Sequence, residues 1–513
     1  MPSTVTRRTF LKGAAAGAVT LGLAPLGIVR AQGRRPFTIA INADPGTLDP
    51  HHTAGSIVGS RYLGMIVDQL TQIEAGGGLA PMLATHWSAD GTTWRFRLRE
   101  GVRFHDGSVM TADDVVYSLD RLLRSPFESA IRTTFLPFVG EVRAVGALEV
   151  EIDTPAPDPL LPLRLATPNA AIMPREATEA AGFDAVQTAP IGAGAYRVVE
   201  FRSGDRMVLE PHEAYWGGTP PLAEVTLRVV PENATRVAAL QAGEVDMVTT
   251  VPPDLIGQIE RGAGLRVDEV LLNNFMHIYF NTVRGLTANV DIRRALSLGI
   301  DRQLLVDALW DGRVRVMNDY FLPSEFGHDA SRPAFPYDPD AARRALEAAG
   351  YSGETLRFTP PATYYTNGRL VTDAVTEMWQ ALGVDVDYEP LELAAWAERS
   401  LTGAQQATLQ SFGTSGDPGA GSLVTEYAGG NWISQYYPAS DTFKALATEA
   451  GASLDDAVRL RSYRAIADIL DRDVPFAPLY QSVEFYGVRQ GVRWTPHQNF
   501  YIDLRPGAFT WEG

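Results

Sequence analysis

The chain has 513 residues, 44 Lys+Arg against 61 Asp+Glu, and no cysteine. At roughly 100–200 residues per domain, the length predicts about three units. A formal charge of −17 argues against a protein that tracks a phosphate backbone, and the absence of cysteine excludes disulfides, thiolate metal sites, thiol nucleophiles and a lipidated N-terminal cysteine.

In chain order, Thr6-Arg7-Arg8-Thr9-Phe10-Leu11-Lys12 precedes an Ala/Gly-rich stretch from Gly13 to Val29 that ends Val29-Arg30-Ala31. The stretch holds Pro25 and falls short of the about 20 apolar residues that span a bilayer. The paired arginines resemble a twin-arginine export signal, cleaved near Ala31, which predicts a periplasmic protein, soluble after cleavage. Residues 1–31 carry Arg7, Arg8, Lys12 and Arg30 and no acid, so the remainder becomes more acidic still. Further on, Trp94, Phe96 and Leu98 alternate with arginines after an Asp90-Gly91 turn, a half-buried strand leaving a hairpin. Thr111 with Asp114 predicts a capped helix whose apolar stripe is Val115, Leu119, Leu122 and Leu123. Asp338-Pro339 starts a helix that stops at Gly350. A helix from about Leu370 to Ala381 leads into an alternating strand, Val384–Tyr388, and a last helix covers about Asp455–Leu470. The fold class is α/β with several sheets. Neither lysine, Lys12 or Lys444, sits in a Gly-Lys-Ser/Thr phosphate loop.

Longer motifs run through the chain. Ala80-Pro81-Met82-Leu83-Ala84-Thr85-His86-Trp87 is followed by Asp90–Arg99, Gly101-Val102-Arg103-Phe104-His105-Asp106-Gly107 and Thr111–Ser118. Asp44–Pro50, Pro190-Ile191-Gly192-Ala193-Gly194-Ala195-Tyr196, Tyr215–Gly218, Ala242–Asp246 and Asp291–Leu296 complete the set. Together they resemble the signature of the family 5 solute-binding proteins, the dipeptide-, oligopeptide- and nickel-binding components of ABC importers, over about residues 37–490. The resemblance implies a periplasmic binding protein-like (type II, cluster C) bilobal fold with an extra subdomain inserted in the first lobe. Lobe 1 would comprise residues 36–78, 186–273 and 489–513, the subdomain 79–185, and lobe 2 residues 274–488. It implies a small-molecule or peptide ligand held between the lobes, ABC permease subunits of the inner membrane as partners, a monomer, no cofactor and no nucleic acid. His105 and Asp106 would be turn and packing residues, so no catalytic residue is named.

In dipeptide-binding members an Arg after a short Asn-x-Arg segment grips the ligand carboxylate; Asn367-Gly368-Arg369 stands in that place. Such members also hold the ligand's ammonium with an Asp three residues before an acidic-Pro pair. Here Asp417-Pro418 is present but the residue three before is Thr414, whose hydroxyl cannot neutralise an ammonium. This departure points to a carboxylate-bearing or polyhydroxylated solute, or a peptide whose amine is met elsewhere. Tyr364, Tyr365, Phe412 and Trp432 are candidate aromatic walls. Asn273, Asn274 and His277 fall near the expected crossing between lobes, the first two as a turn or hinge. No His-Glu-x-x-His or Gly-x-Ser-x-Gly motif occurs, and the adjacent His51 and His52 point apart in extended chain, so no metal site is assigned. The alternatives are an exported hydrolase such as a glycosidase, a ligand sensor using the same cleft, and a sugar, polyol or metal chelate as the ligand.

Overall fold

In the computed structural model, which describes residues 34–52, 57–124, 132, 135–413, 424, 427 and 432–512, the segment around Trp94-Phe96-Leu98 is a strand as its alternation predicts. The export signal lies outside the described residues. Contacts divide the chain into Met1–Arg34 and Arg35–Gly513, and the second unit is described below.

Its strands in order are β1 (Pro36–Ile41), β2 (Thr71–Ile73), β3 (Leu79–Pro81), β4 (Ala84–Asp90), β5 (Thr93–Leu98), β6 (Val142–Gly146), β7 (Glu149–Asp153), β8 (Tyr196–Arg202), β9 (Arg206–Pro211) and β10 (Glu224–Val229). They continue with β11 (Met247–Val248), β12 (Leu265–Phe280), β13 (Arg315–Val316), β14 (Leu356–Phe358), β15 (Val386–Tyr388), β16 (Ala407–Gly413), β17 (Phe476–Arg489), β18 (Val492–Trp494) and β19 (Phe509–Trp511). Among the described residues an eleven-stranded sheet runs β15-β14-β16-β12-β17-β11-β1-β10-β9-β8, with β13 also on β17. A separate four-stranded sheet, β4-β5-β7-β6, has its own core. Trp94, Phe96 and Leu98 point into that core while Arg95 and Arg97 stay exposed. The helix Ala112–Arg124 lays Val115, Leu119, Leu122 and Leu123 on it; at roughly 2 kcal/mol per fully buried side chain, the stripe contributes about 8 kcal/mol before entropy. Its start is fixed reciprocally, since the backbone N–H and hydroxyl of Thr111 both donate to Asp114 Oδ2 and the Asp114 N–H returns to Thr111 O.

The helix Pro339–Ala348 begins at Asp338, whose side chain accepts from the Ala341 N–H. Asp338→Ala is expected to lower stability by about 1 kcal/mol, read as a shift of the urea midpoint at unchanged slope. The predicted strand Val384–Tyr388 is shorter, Val386–Tyr388, because its parallel partner β14 is three residues long and the Asp385 N–H donates to the Tyr351 hydroxyl. Asn273 and Asn274 are not a turn; both lie within β12.

The segment Pro190–Tyr196 is a seam that positions the helix Ile57–Leu63. Gly194 N–H donates to Ile66 O and Tyr196 N–H to Met65 O. A Cβ at Gly192 would stand 2.4 Å from Ile66 O and one at Gly194 2.4 Å from the Ile66 carbonyl carbon, so the backbones approach only as glycine permits. Gly192→Ala is expected to cost about 2 kcal/mol by forcing the seam apart, measured by thermal unfolding; an unchanged midpoint would show that the seam yields freely. No helix among the described residues is long and apolar enough to cross a membrane.

Candidate ligand cleft

Strands β12 and β17 run antiparallel through the middle of the large sheet and join its two halves. Leu265–Leu271 pair with Arg489–Val483, the register then jumps, and Phe275–Tyr279 pair with Gln481–Phe476. Residues 272–274 therefore bulge opposite Ser482. The bulge is held from outside the sheet: Asn273 N–H donates to Gln498 O at 3.1 Å, its side-chain amide to Asn499 Oδ1 at 3.0 Å, and Ser324 Oγ to Asn273 Oδ1 at 3.0 Å.

On one side of this crossing β11, β1 and β10 are mutually parallel, and on the other β14 is parallel to β15 and β16. Asn274 is the partner of Gly413, the last residue of β16, and Val248, the last of β11, is the partner of Gly487. Both parallel sets thus aim their C-terminal ends at the crossing, the position where open α/β sheets bind ligands.

Side chains alternate along β17, so Tyr480, Ser482, Glu484 and Tyr486 share a face. Glu484 Oε1 accepts from Arg61 of the helix Ile57–Leu63, from Thr250 N–H at 2.8 Å and from Thr250 Oγ1 at 3.0 Å. Arg61 Nη1 also donates to Asn42 Oδ1 at 2.9 Å and Thr250 Oγ1 at 3.1 Å, and its guanidinium lies 5.5 Å from the Phe500 ring. Asn42 follows β1 directly and Thr250 lies two residues past β11, so the cluster caps the C-terminal ends of that half-sheet. Thr250 (φ 54°) and Phe500 (φ 65°), both touching Arg61, are in the left-handed region, a conformation that costs a non-glycine residue about 1–3 kcal/mol and persists only where surroundings over-determine it. Arg236 ties the loops 230–233 and 249–250 together through the carbonyls of Val230, Pro231, Thr249 and Thr250 and the Asn233 side chain. Burial, then the nearby Arg61, bring its pKa down to about 10, opposed by Glu484 and Glu232. Two buried guanidiniums thus lie near one buried carboxylate, Glu484, whereas Glu232 is exposed. Along the crossing, the buried polar atoms Asn274 Oδ1, Arg61 Nε, Thr249 Oγ1 and Ser482 Oγ have no hydrogen-bond partner among the described residues.

The sequence-derived candidates stand as follows. Arg369, Asn367, Tyr364 and Tyr365 lie after β14, on the loop and helix start at the C-terminal edge of its half-sheet. The Arg369 side chain is 54 % exposed, donates to Asp373 Oδ1 at 2.8 Å and lies 5.3 Å from the Tyr388 ring. Asn367 adopts φ 54° and its side-chain amide donates to Leu309 O at 2.8 Å, pinning the loop to the helix Arg302–Trp310. Tyr364 is exposed and stacks on Trp396 at 5.9 Å; Tyr365 meets both rings, and burial pushes its hydroxyl pKa up. Phe412, expected on a pocket wall, is instead a core ring: it stacks on His277 at 4.3 Å and packs against Phe476 and Tyr427. His277 is likewise in that core. Thr414 and Asp417 lie outside the described residues, as does the side chain of Trp432, whose backbone opens the short helix Trp432–Gln435. His105 accepts from Gly192 N–H at 3.2 Å and meets Gly194 O at 3.0 Å, bonds within the seam. Sequence reasoning missed Arg61, Thr250 and Glu484. One signal was available: Glu484 is the only acid in the fourteen residues of β17.

The model of "Bacterial extracellular solute-binding proteins, family 5 Middle" matches residues 78–434. The heme-binding protein A of Haemophilus influenzae is 26 % identical over 451 residues, 82 % of each chain. The dipeptide-binding protein of Escherichia coli is 24 % identical over 445 residues, covering 80 % of this chain and 83 % of the other. Among solved structures, the periplasmic binding protein DppA from Helicobacter pylori in complex with the peptide STSA superposes with a TM-score of 0.81 at 21 % identity, covering 94 % of this chain and 99 % of that one. NikA from Brucella suis in complex with Fe(III)-EDTA gives 0.83 at 20 % identity, covering 93 % and 100 %. The fold is the bilobal α/β fold of periplasmic binding proteins. The chain belongs to the bacterial extracellular solute-binding proteins of family 5, whose members are binding proteins.

Proposed function

We propose that the chain captures a peptide or another small carboxylate-bearing solute at the crossing of β12 and β17 and delivers it to the inner-membrane permease of an ABC importer. The observation that carries the reading is the convergence of both parallel strand sets on a crossing lined by buried polar atoms without partners. A bound solute would supply those partners, and contacts made to both sides would favour the closed arrangement only by their differential affinity. The two half-sheets are assigned to lobe 1 (36–78, 186–273 and 489–513) and lobe 2 (274–488), with 79–185 as the subdomain. Arg369, Asn367, Tyr364 and Tyr365 form the lobe 2 lip, where Arg369 can exchange Asp373 for a ligand carboxylate in bidentate geometry. Thr414, Asp417 and Trp432 remain candidate ligand contacts on the family resemblance alone. The working protein is a periplasmic monomer, exported by the twin-arginine signal and cleaved near Ala31, that performs no chemical step. Native mass spectrometry of periplasmically expressed protein tests the reading: a co-purified solute, released unchanged, is expected. A protein that binds none of a panel of peptides, sugars, polyols and metal chelates, or that converts one of them, would overturn it.

A further inference from the structure

Leu271 pairs with Val483 and Phe275 with Gln481, so residues 272–274 and Ser482 stand outside the β12–β17 ladder. A swing of one half-sheet against the other is absorbed where the fewest backbone bonds must break, and this short stretch is that place. Asn273 sits at its middle, 5 % exposed, with its N–H and both side-chain polar atoms engaged. The N–H and Nδ2 donate to Gln498 O and Asn499 Oδ1, on a segment assigned to lobe 1, while Oδ1 accepts from Ser324 Oγ, on a loop assigned to lobe 2. Both anchors are themselves fixed. Asn499 N–H donates to His497 Nδ1 at 3.0 Å, so His497 Nε2 carries the proton and donates to Ile73 O at 2.8 Å, which ties that segment to β2. On the other side, Asp319 accepts from the N–H groups of Tyr320 and Asp329, and Glu325 Oε2 accepts from Leu322 N–H at 2.6 Å. Phe321 and Leu322 belong to the core that holds Phe412. Ser324 therefore moves with that core and Asn499 with β2. Hydrogen bonds weaken steeply away from ideal distance and angle, so a swing about the crossing cannot keep all three bonds of Asn273.

We infer that Asn273 is a latch across the hinge: its amide, gripped by Asn499 on one side and by Ser324 on the other, sets the angle between the two half-sheets in the solute-free protein. This rests on the lobe division proposed above. Asn273 is a positioning residue, since its N–H and amide are taken by protein partners and it acts on capture only through the lobe angle. Ser324 is the separable half of the latch, because it is exposed and gives Asn273 a single bond. Water takes over its hydroxyl once the lobes swing, so the bond is worth a factor of about 5 in the ratio of two lobe arrangements.

The chain contains no cysteine, so two introduced thiols are the only ones and each takes a spin label. The pair Asp205→Cys and Ala394→Cys reads between the half-sheets, and the pair Glu347→Cys and Ala394→Cys reads within lobe 2; all three positions are exposed. Pulsed dipolar spectroscopy of the solute-free protein is expected to give one dominant distance for the first pair. Ser324→Ala is expected to raise the weight of a second distance about 5-fold, and Asn273→Ala, which loses both side-chain bonds, roughly 10-fold or more. Ser324→Thr keeps the hydroxyl and is expected to restore the parent distribution, and the second pair is expected to stay unchanged throughout. Were Asn273→Ala to unfold, Ser324→Ala decides alone. An unchanged first-pair distribution in Ser324→Ala, or a parent already split between two comparable distances, would overturn the latch while the solute-binding reading stands. A shift in the second pair would overturn the lobe division with it.

Discussion

Replacing Arg61 by methionine is expected to destabilise the protein by about 3–5 kcal/mol, because it strands the Glu484 carboxylate at the centre of the sheet. The side chains of the pair are 2 % and 7 % exposed, so water cannot take over the role of the guanidinium. The damage would extend beyond the pair. Thr250 is held in the left-handed region by two bonds to Glu484 and one from Arg61, and losing Arg61 releases part of that restraint. Glu484→Gln alone is expected to cost less, about 2 kcal/mol, since the amide oxygen still accepts from Thr250 while Arg61 keeps Asn42. The double variant Arg61→Met/Glu484→Gln removes both charges and is expected to lose at least about 2 kcal/mol less than the sum of the two single losses. Urea unfolding of the four proteins measures this coupling. Additive costs would mean that the two groups do not share one buried environment, and would remove the basis for assigning them to the cleft.

What the sequence disclosed followed from periodicity and from spacing, and both are local. The Trp94-Phe96-Leu98 alternation and the Thr111–Asp114 box declare themselves within a few residues, and the structure builds a strand and a helix from them. The seam at Gly192 and Gly194 was visible as a motif, but its reason, the close pass of Ile66 backbone 126 to 128 residues earlier in the chain, was not. The cleft cluster shows the limit more sharply. Arg61 and Glu484 are separated by 423 residues, and neither carries a local pattern that announces the other. A lone acid inside a mostly apolar strand was the only cue, and it says that a partner must exist without saying where. Phe412 erred the other way. It was expected as an aromatic wall of the cleft, yet its register on β16, opposite Phe275, turns its ring into the core beneath the helices Asp441–Ala452 and Asp456–Asp473. Face is decided by cross-strand pairing, which a motif does not encode.

The same core holds a second, pH-dependent liability. His277 is fully buried, stacked on Phe412 and flanked by Phe275, Tyr279 and Phe476, and neither ring nitrogen has a hydrogen-bond partner among the described residues. Burial pushes its pKa down to about 3, against a smaller opposing pull from the Phe275 backbone. In the unfolded chain the imidazole titrates near its ordinary value of about 6.5, so below that pH the unfolded state binds a proton that the native state refuses. The contribution is fully present above about pH 6.5 and is lost as the pH falls toward 3. His277→Phe removes the titration and keeps a flat ring against Phe412. Its stability relative to the parent is expected to rise by about 2 kcal/mol between pH 8 and pH 5, and by about 3 kcal/mol at pH 4. His51, brought down to about 4 by burial and Arg121, acts in the same direction. Asp68 acts in the opposite one, because burial raises it to about 7 and the native state then holds a proton that the unfolded carboxylate releases. Both terms are common to parent and variant and cancel in the difference at each pH. Urea midpoints and slopes at pH 8, 5 and 4 supply the measurement. A gain that is the same at all three values would show that the imidazole exchanges its proton freely in the folded protein, and that the aromatic core around it is open to water.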